Sequence, residues 1–293
     1  MAHFEPASIK FLRRDPLYDT EKPFQMLTGS DLSTPAQRDN NLLWEEKNVL
    51  VQDFRDNVDY FDIDNHGFTS RFLEGFARLD NMTEIDQCYI SAIKDLVRKE
   101  IADAGTIFVY DWRIRDSSVC YPEGRVNFRD QSNNLLPSNF AHVDMAPVSI
   151  VKRIQSSFPQ DADLIFAQRV QAINVWKPLN YPVDQWALAV CDTNTMEASE
   201  LMETDSVRQG DVTALYYAHH NPNQKWHFLR QQTPEEALIF KHFDSKPDVK
   251  SSRVIHASIR HHNVAPDAKP RRSIEVRALV FAGNFEYSDK VSK

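Results

Sequence analysis

Hydrophobic spacing changes character along this chain. Residues 1–60 are rich in Asp, Pro and Asn and weakly periodic, which predicts an irregular arm wrapped on a core, with one possible helix near 40–52. The first strong signal comes at Thr83. Thr83-Glu84-Ile85-Asp86 has the form of a capping box, with the shorter Asp where Glu is preferred. Ile85, Tyr89, Ile93, Leu96, Val97 and Ile101 then recur at helical spacing, and Gly105 stands where a C-terminal cap belongs. The β-branched and aromatic run 106–114 predicts a strand.

From Arg125 onward strands dominate. Candidates lie around His142 and at 168–176, 186–191, 212–217, 225–229, 237–243, 252–258 and 273–281, with short helical interruptions at 147–158 and 161–167. Lys177-Pro178, Tyr181-Pro182, Asn221-Pro222 and Lys246-Pro247 supply turns between the runs. Helices first and many short strands afterwards predict a mainly β fold with flanking helices, a sandwich or jelly roll. Residues 1–104 are expected to pack as an N-terminal arm and helices on a β-domain at 105–293, in one structural unit.

Composition narrows the function classes. The chain has 293 residues, 42% hydrophobic and 26% charged, an ordinary soluble balance. No run approaches eighteen apolar residues and the first residues lack a basic-then-apolar leader, so neither membrane nor export is expected. Cys88, Cys120 and Cys191 are scattered and odd in number, which suits a reducing, cytoplasmic setting. A net charge of -8 with no Lys/Arg block argues against nucleic acid. With seven glycines and neither GxGxxG nor GxxxxGK[ST], dinucleotide and P-loop sites lack their backbone requirement. GxSxG is also absent, and no cysteine sits beside an evident base. The expected partner is a small-molecule substrate; the chain is expected to be a monomer or homodimer.

The chemistry concentrates in His142-Val143-Asp144, with His256 far downstream. Two imidazoles and a carboxylate occupy one face of an octahedral ferrous ion and leave three positions open. H-x-D alone is weak, since chance supplies roughly one in such a chain. Indeed His242-Phe243-Asp244 is a second copy. From Asp144 to His256 there is chain for several strand crossings, whereas Asp244 to His256 allows about one hairpin. His142, Asp144 and His256 are therefore the preferred metal ligands, and His242/Asp244 reads as structural, closing a turn at 243–245. His219, His220, His261 and His262 read as solvated loop residues. Arg271 and Ser273 follow one strand later and are co-facial by alternation, with Arg272 on the opposite side and Arg277 a reserve of the same parity. An Arg and a Ser so placed can hold a small dicarboxylate.

Longer segments resemble one family. These are 169–179 (RVQAINVWKPL), 186–192 (WALAVCD), 236–241 (EALIFK) followed by Asp244-Ser245, and 270–279 (PRRSIEVRAL). Over about residues 105–285 the chain resembles the fungal gibberellin-desaturase-like oxidoreductases, a group that includes the cephamycin methoxylation component. The resemblance implies a double-stranded β-helix (cupin-like) core, Fe(II), 2-oxoglutarate, dioxygen as cosubstrate, and a small-molecule substrate. In such enzymes an R-x-S after the distal histidine holds the cosubstrate carboxylate, the position of Arg271 and Ser273 here. Arg272 stands where an acidic residue is common, and Lys177 where Arg is more usual.

Asn174 is a further candidate for binding a cosubstrate oxygen, and Trp176, Arg169 and Tyr217 for lining the substrate pocket. Tyr216 and Trp226 are alternatives at the mouth, although aromatics at strand spacing are more often core. Glu275, between two arginines, reads as paired. The functional expectation is an Fe(II)/2-oxoglutarate-dependent oxygenase that hydroxylates, desaturates or oxidatively cyclises at an unactivated C–H bond of a small molecule in fungal-type secondary metabolism, with an amino acid or a terpenoid acid as the candidate substrates. The competing expectation is a metal-free or zinc-bound accessory protein on the same scaffold.

Overall fold

The computed structural model describes residues 3–27, 39–121, 130–208, 211–262 and 264–287. Its strands form two sheets. The larger contains β1 (Phe4–Leu12), β2 (Phe24–Met26), β3 (Trp44–Asp53), β6 (His142–Val143), β8 (Leu188–Cys191), β9 (Leu201–Arg208), β10 (Asp211–Ala218), β11 (Trp226–Phe228), β13 (His256–Ser258) and β14 (Arg260–His261). Their order is β14-β1-β3-β11-β8-β13-β6-β10-β9-β2. The smaller holds β4 (Phe68–Phe72), β5 (Thr106–Asp116), β7 (Val170–Pro178), β12 (Glu236–Asp244) and β15 (Arg272–Phe281), in the order β4-β12-β7-β15-β5. Trp176, Leu238 and Phe240 of the smaller sheet share a core with Val143, Val190 and Ala257 of the larger. This is the jelly roll expected from the strand-rich second half.

The far face of the smaller sheet is apolar because a helix covers it. The helix runs through α1 (Met82–Glu84), a π-helical turn (Ile85–Tyr89) and α2 (Ile90–Glu100). Ile85, Tyr89, Ile93, Leu96 and Val97 are buried against Val109, Val175, Ile239 and Val276. Full burial of each such side chain stabilises by about 1.5–3 kcal/mol. The cap differs from the expected box: Asn81 is the N-cap, and its Oδ1 accepts from the Glu84 N–H at 2.7 Å. Gly105 is not the C-cap either, since the helix already ends at Ile101 in extended conformation. Gly105 instead allows close approach, for a Cβ there would lie 2.6 Å from the Gly283 carbonyl oxygen. The predicted interruptions are α3 (Pro147–Ser157) and α4 (Ala162–Phe166).

The first sixty residues correct the expectation of an irregular arm. β1 pairs antiparallel with β3 from Phe4↔Gln52 to Leu12↔Trp44, so the proposed helix near 40–52 is a strand. Glu46, Asn48 and Leu50 are exposed in alternation, but Glu45 and Lys47 carry charge on the other face and hide the period. Ladder pairing on both sides, to β1 and β11, outweighs the local propensity.

β12 includes Phe243 and ends at Asp244, whose Oδ1 accepts from the Lys246 N–H at 3.0 Å and so closes the strand end. Asp244 is structural as expected, and through charge as well: it accepts from Lys241 Nζ at 2.7 Å and from Arg169 Nη2 at 2.7 Å. Burial alone would raise its carboxyl; the Arg169 and Lys241 hydrogen bonds hold it below 3.8 instead. A depressed folded-state value means stability that is present above the unfolded value and lost as pH falls through the folded one. Asp244→Ala is expected to cost about 3 kcal/mol in urea unfolding at neutral pH. The difference from the parent should shrink as pH drops below the ordinary aspartate range.

Candidate active site

β6 is short but central, lying between β13 and β10. His142 is directly opposite His256 on one side and Tyr217 on the other. Two residues of the two strands thus share a face although 114 positions separate them in sequence. Their ring centroids are 4.2 Å apart. Asp144, immediately after β6, turns its Oδ1 to 3.1 Å from His142 Nε2 and 3.6 Å from His256 Nε2. The ligand atoms of all three residues lie within 4.8 Å of one another, close enough to grip one cation. His142 Nδ1 lies 2.7 Å from the Phe140 carbonyl oxygen, which fixes the proton there and leaves Nε2 bare toward the centre. Burial, then the neighbouring His142, lowers the His256 imidazole, so its lone pair is available at neutral pH.

The other carboxylate oxygen of Asp144 is held from behind. Asn174 Nδ2 donates to Oδ2 at 3.0 Å and Arg277 Nε approaches it at 3.1 Å. Asn174 and Arg277 are register partners on β7 and β15, so the smaller sheet supplies this back support. Burial would raise the Asp144 carboxyl, but Arg277, His242 and the His142 and His256 hydrogen bonds hold it well below 3.8. Arg277 also pairs with Glu275 at 2.7 Å and Asp111 at 3.3 Å. The reserve role for Arg277 as cosubstrate anchor is therefore corrected: its guanidinium is engaged by three carboxylates. Asn174 likewise orients Asp144 through its amide nitrogen, and only its Oδ1 is without a partner among the described residues.

His242 is the residue that spacing misplaced. It sits where the β12–β7 register slips between Lys241 and Phe243, a β-bulge that re-aims its side chain inward. Its Nε2 is 3.7 Å from Asp144 Oδ2, its ring is 5.3 Å from that of His256, and neither nitrogen has a hydrogen-bond partner among the described residues. Burial pushes this imidazole down to about 3. A matching irregularity interrupts β15–β5 beside Arg277, so both bulges fall at the level of the cluster. No sequence signal marks a bulge. His242→Leu is expected to weaken metal retention roughly tenfold, in the range for groups that support a ligand, as read by chelator competition.

Arg271 lies deeper and is 2% exposed. Its Nη1 donates to the Trp186 carbonyl at 2.6 Å and to Ser258 Oγ at 2.9 Å. Its Nε and Nη2, and Ser273 Oγ, have no partner among the described residues. Burial and the nearby Arg115 charge push Arg271 down to about 9. A buried guanidinium with two free donors beside a free hydroxyl is incomplete without an anion. Trp186 carries a positive φ of 60°, costly for a bulky residue, and so lies outside the strand predicted at 186–191; its carbonyl is thereby turned to Arg271. Trp176 stacks under the guanidinium at 5.5 Å. A narrow cavity lined by His142, His256, Trp176 and Ser258 adjoins the cluster, and two of its lining residues, Ser258 and Trp176, contact Arg271. Arg272 faces away, toward Asp80 at 3.3 Å.

The remaining candidates divide. Tyr217 walls a cavity of about 340 Å³ that opens on His142 and Asp144. Arg169 is not brought there; it lies before β7 and bonds Asp244, Asp64 and Asp103. His219 is buried with Nδ1 2.7 Å from the Leu12 carbonyl, and His261 pairs with Glu5 at 3.1 Å, so these two are structural rather than solvated. Trp226 belongs to the core. Larger cavities of about 560, 510 and 390 Å³ are lined by none of the clustered residues.

Fold and site together define a double-stranded β-helix protein with a facial two-histidine, one-carboxylate cluster. A family model described as "Oxidoreductase/YMDC permease-like domain" matches residues 9–281. No helix among the described residues is long and apolar enough to cross a membrane. The chain is 31% identical over 258 residues to "Fe(II)/2-oxoglutarate-dependent dioxygenase nvfI" of Aspergillus novofumigatus, covering 85% of this chain and 88% of that protein. It is 27% identical to "Hydroxylase/desaturase CTB9" of Cercospora beticola, covering 94% and 90%. Among solved structures, the iron and alpha-ketoglutarate-dependent endoperoxidase NvfI superposes with a TM-score of 0.82 at 25% identity, covering 96% of this chain and 99% of that one. The chain belongs to the family of fungal Fe(II)/2-oxoglutarate-dependent oxygenases.

Proposed function

We propose that this chain is a non-heme Fe(II)/2-oxoglutarate-dependent oxygenase that oxidises an unactivated C–H bond of a small molecule in fungal-type secondary metabolism, by hydroxylation, desaturation or oxidative cyclisation. The observation that carries the reading is the convergence of His142, Asp144 and His256, with donor atoms within 4.8 Å, together with a buried Arg271 and Ser273 whose Nε, Nη2 and Oγ have no partner among the described residues. An accessory protein needs neither feature. Within the family we assign the chain to the gibberellin-desaturase-like branch, on segments 169–179, 186–192 and 270–279. We take the cytoplasm as its compartment, in keeping with three free cysteines, and treat the chain as one structural unit.

In this reading His142, Asp144 and His256 would hold Fe(II), and Arg271 and Ser273 would receive the distal carboxylate of 2-oxoglutarate. Bound iron, with 2-oxoglutarate and dioxygen, supplies the oxidising power that removes hydrogen from carbon, and the keto acid leaves as succinate and carbon dioxide. The protein's own work is orientation. Asn174 and Arg277 keep Asp144 from rotating, Phe140 fixes the His142 tautomer, and the cavity at Tyr217 sets which C–H bond faces the open side. Succinate should form only when both iron and 2-oxoglutarate are supplied. Its absence with a broad panel of small molecules would speak for the accessory reading.

A further inference from the structure

The cavity in front of the cluster has a charge that the reading above does not use. Arg113, Arg115, Arg153, Arg208 and Arg277 line it, against Asp111 and Asp144. Even if Glu275, held on Arg277, is counted as a third carboxylate, two positive charges are unmatched. Fe(II) and a dianionic cosubstrate cancel each other, so loading the site leaves that excess in place. The excess is local: the chain as a whole carries a net charge of -8.

Arg208 is close enough to Arg113 and Arg153 to feel their charges. Arg113 shares Asp111 with Arg277, through Nε at 3.2 Å, and its Nη1 is buried with no partner among the described residues. Arg208, at the end of β9, has a buried Nε that also lacks one. Arg153 lies over the Tyr110 ring at 5.2 Å. Arg115 donates to the Leu136 carbonyl at 2.7 Å and faces both this cavity and the narrow one beside the cluster. Burial lowers both Arg208 and Arg115, and repulsion by Arg277 adds to it.

We propose that the substrate of this enzyme is an organic acid whose carboxylate is received by Arg113 and Arg208, with Arg153 at their side. The inference rests on the oxygenase reading and names its substrate class. Guanidinium forks match carboxylate geometry, and a cavity of about 340 Å³ is of the size that receives a small molecule. The carboxylate anchors one end, so the opposite part of the molecule is presented to the open side of His142 and Asp144.

The test uses the full chain loaded with Mn(II) and 2-oxoglutarate. Ligand-observed NMR reads binding of a panel of terpenoid and aromatic carboxylic acids, each beside its own methyl ester. Acids should bind and their esters should bind roughly tenfold more weakly or worse. Arg208→Gln and Arg113→Gln should erase the preference, and Arg208→Lys should restore much of it. Equal binding of acid and ester, or binding of neither, overturns the proposal, and the wild-type comparison decides this even if a variant fails to fold. In a parallel preparation loaded anaerobically with Fe(II) in place of Mn(II), the charge-transfer absorption formed with 2-oxoglutarate reports the oxygenase reading separately. The band without acid preference defeats the substrate class alone; no band defeats the oxygenase reading and the substrate class with it.

Discussion

Asp144→Ala is expected to abolish metal retention and to lower succinate formation by more than about a thousandfold, or about 4 kcal/mol of activation free energy. The two oxygens of this carboxylate do different jobs. Oδ1 faces His142 and His256, while Oδ2 is fixed by Asn174 and Arg277. Removing the side chain deletes a ligand and releases the two groups that oriented it. The fold should survive, because Arg277 keeps Glu275 and Asp111. The expected stability loss is about 1–3 kcal/mol, for the buried Asn174 amide and the shed charge partner. Asp144→Asn keeps the shape and the Asn174 contact region but drops the charge, and should lose metal as well. Metal analysis after gel filtration, with urea unfolding as control, separates ligand loss from misfolding. Full activity in either variant would remove Asp144 from the centre.

Arg271→Ala is expected to raise the 2-oxoglutarate concentration for half-maximal turnover by roughly a hundredfold or more, the scale for losing one partner of a buried charge pair. Arg272→Ala should change it by less than about twofold, since that guanidinium meets Asp80 at the surface. Arg271 is buried, stacked on Trp176 and lowered to about 9, so the protein without an anion holds a poorly solvated charge. Two results follow from that. 2-Oxoglutarate with Mn(II) should raise the melting temperature of the parent protein, and the increment should nearly vanish in Arg271→Ala. An equal increment in both would place the keto acid elsewhere.

β7, β12 and β15 were readable from their β-branched and aromatic residues, although buried polar residues such as Asn174, Lys241 and Glu275 interrupt the apolar runs. The helix over 82–100 was readable from its single apolar stripe. β1, β3 and β9 were not, since charged residues such as Glu45, Lys47 and Asp205 interrupt the alternation and only ladder pairing defines them. The clustering of His142, Asp144 and His256 could be read from chain length between the motifs. His242 could not, as its inward aim depends on a bulge that pairing creates. Arg169 looked like a pocket residue from its neighbours Asn174 and Trp176, but it precedes the strand and meets Asp244 instead. The arginine-lined cavity was equally hidden, because β5, α3 and β9 bring Arg113, Arg153 and Arg208 together from distant stretches.

The most direct test is where a cation goes. Crystals grown with Mn(II) and 2-oxoglutarate, measured for anomalous scattering, should give one strong peak within coordinate-bond reach of His142 Nε2, Asp144 Oδ1 and His256 Nε2, with keto-acid density running from it to Arg271. A peak at another site, or no peak between these three side chains at saturating metal, would contradict the account.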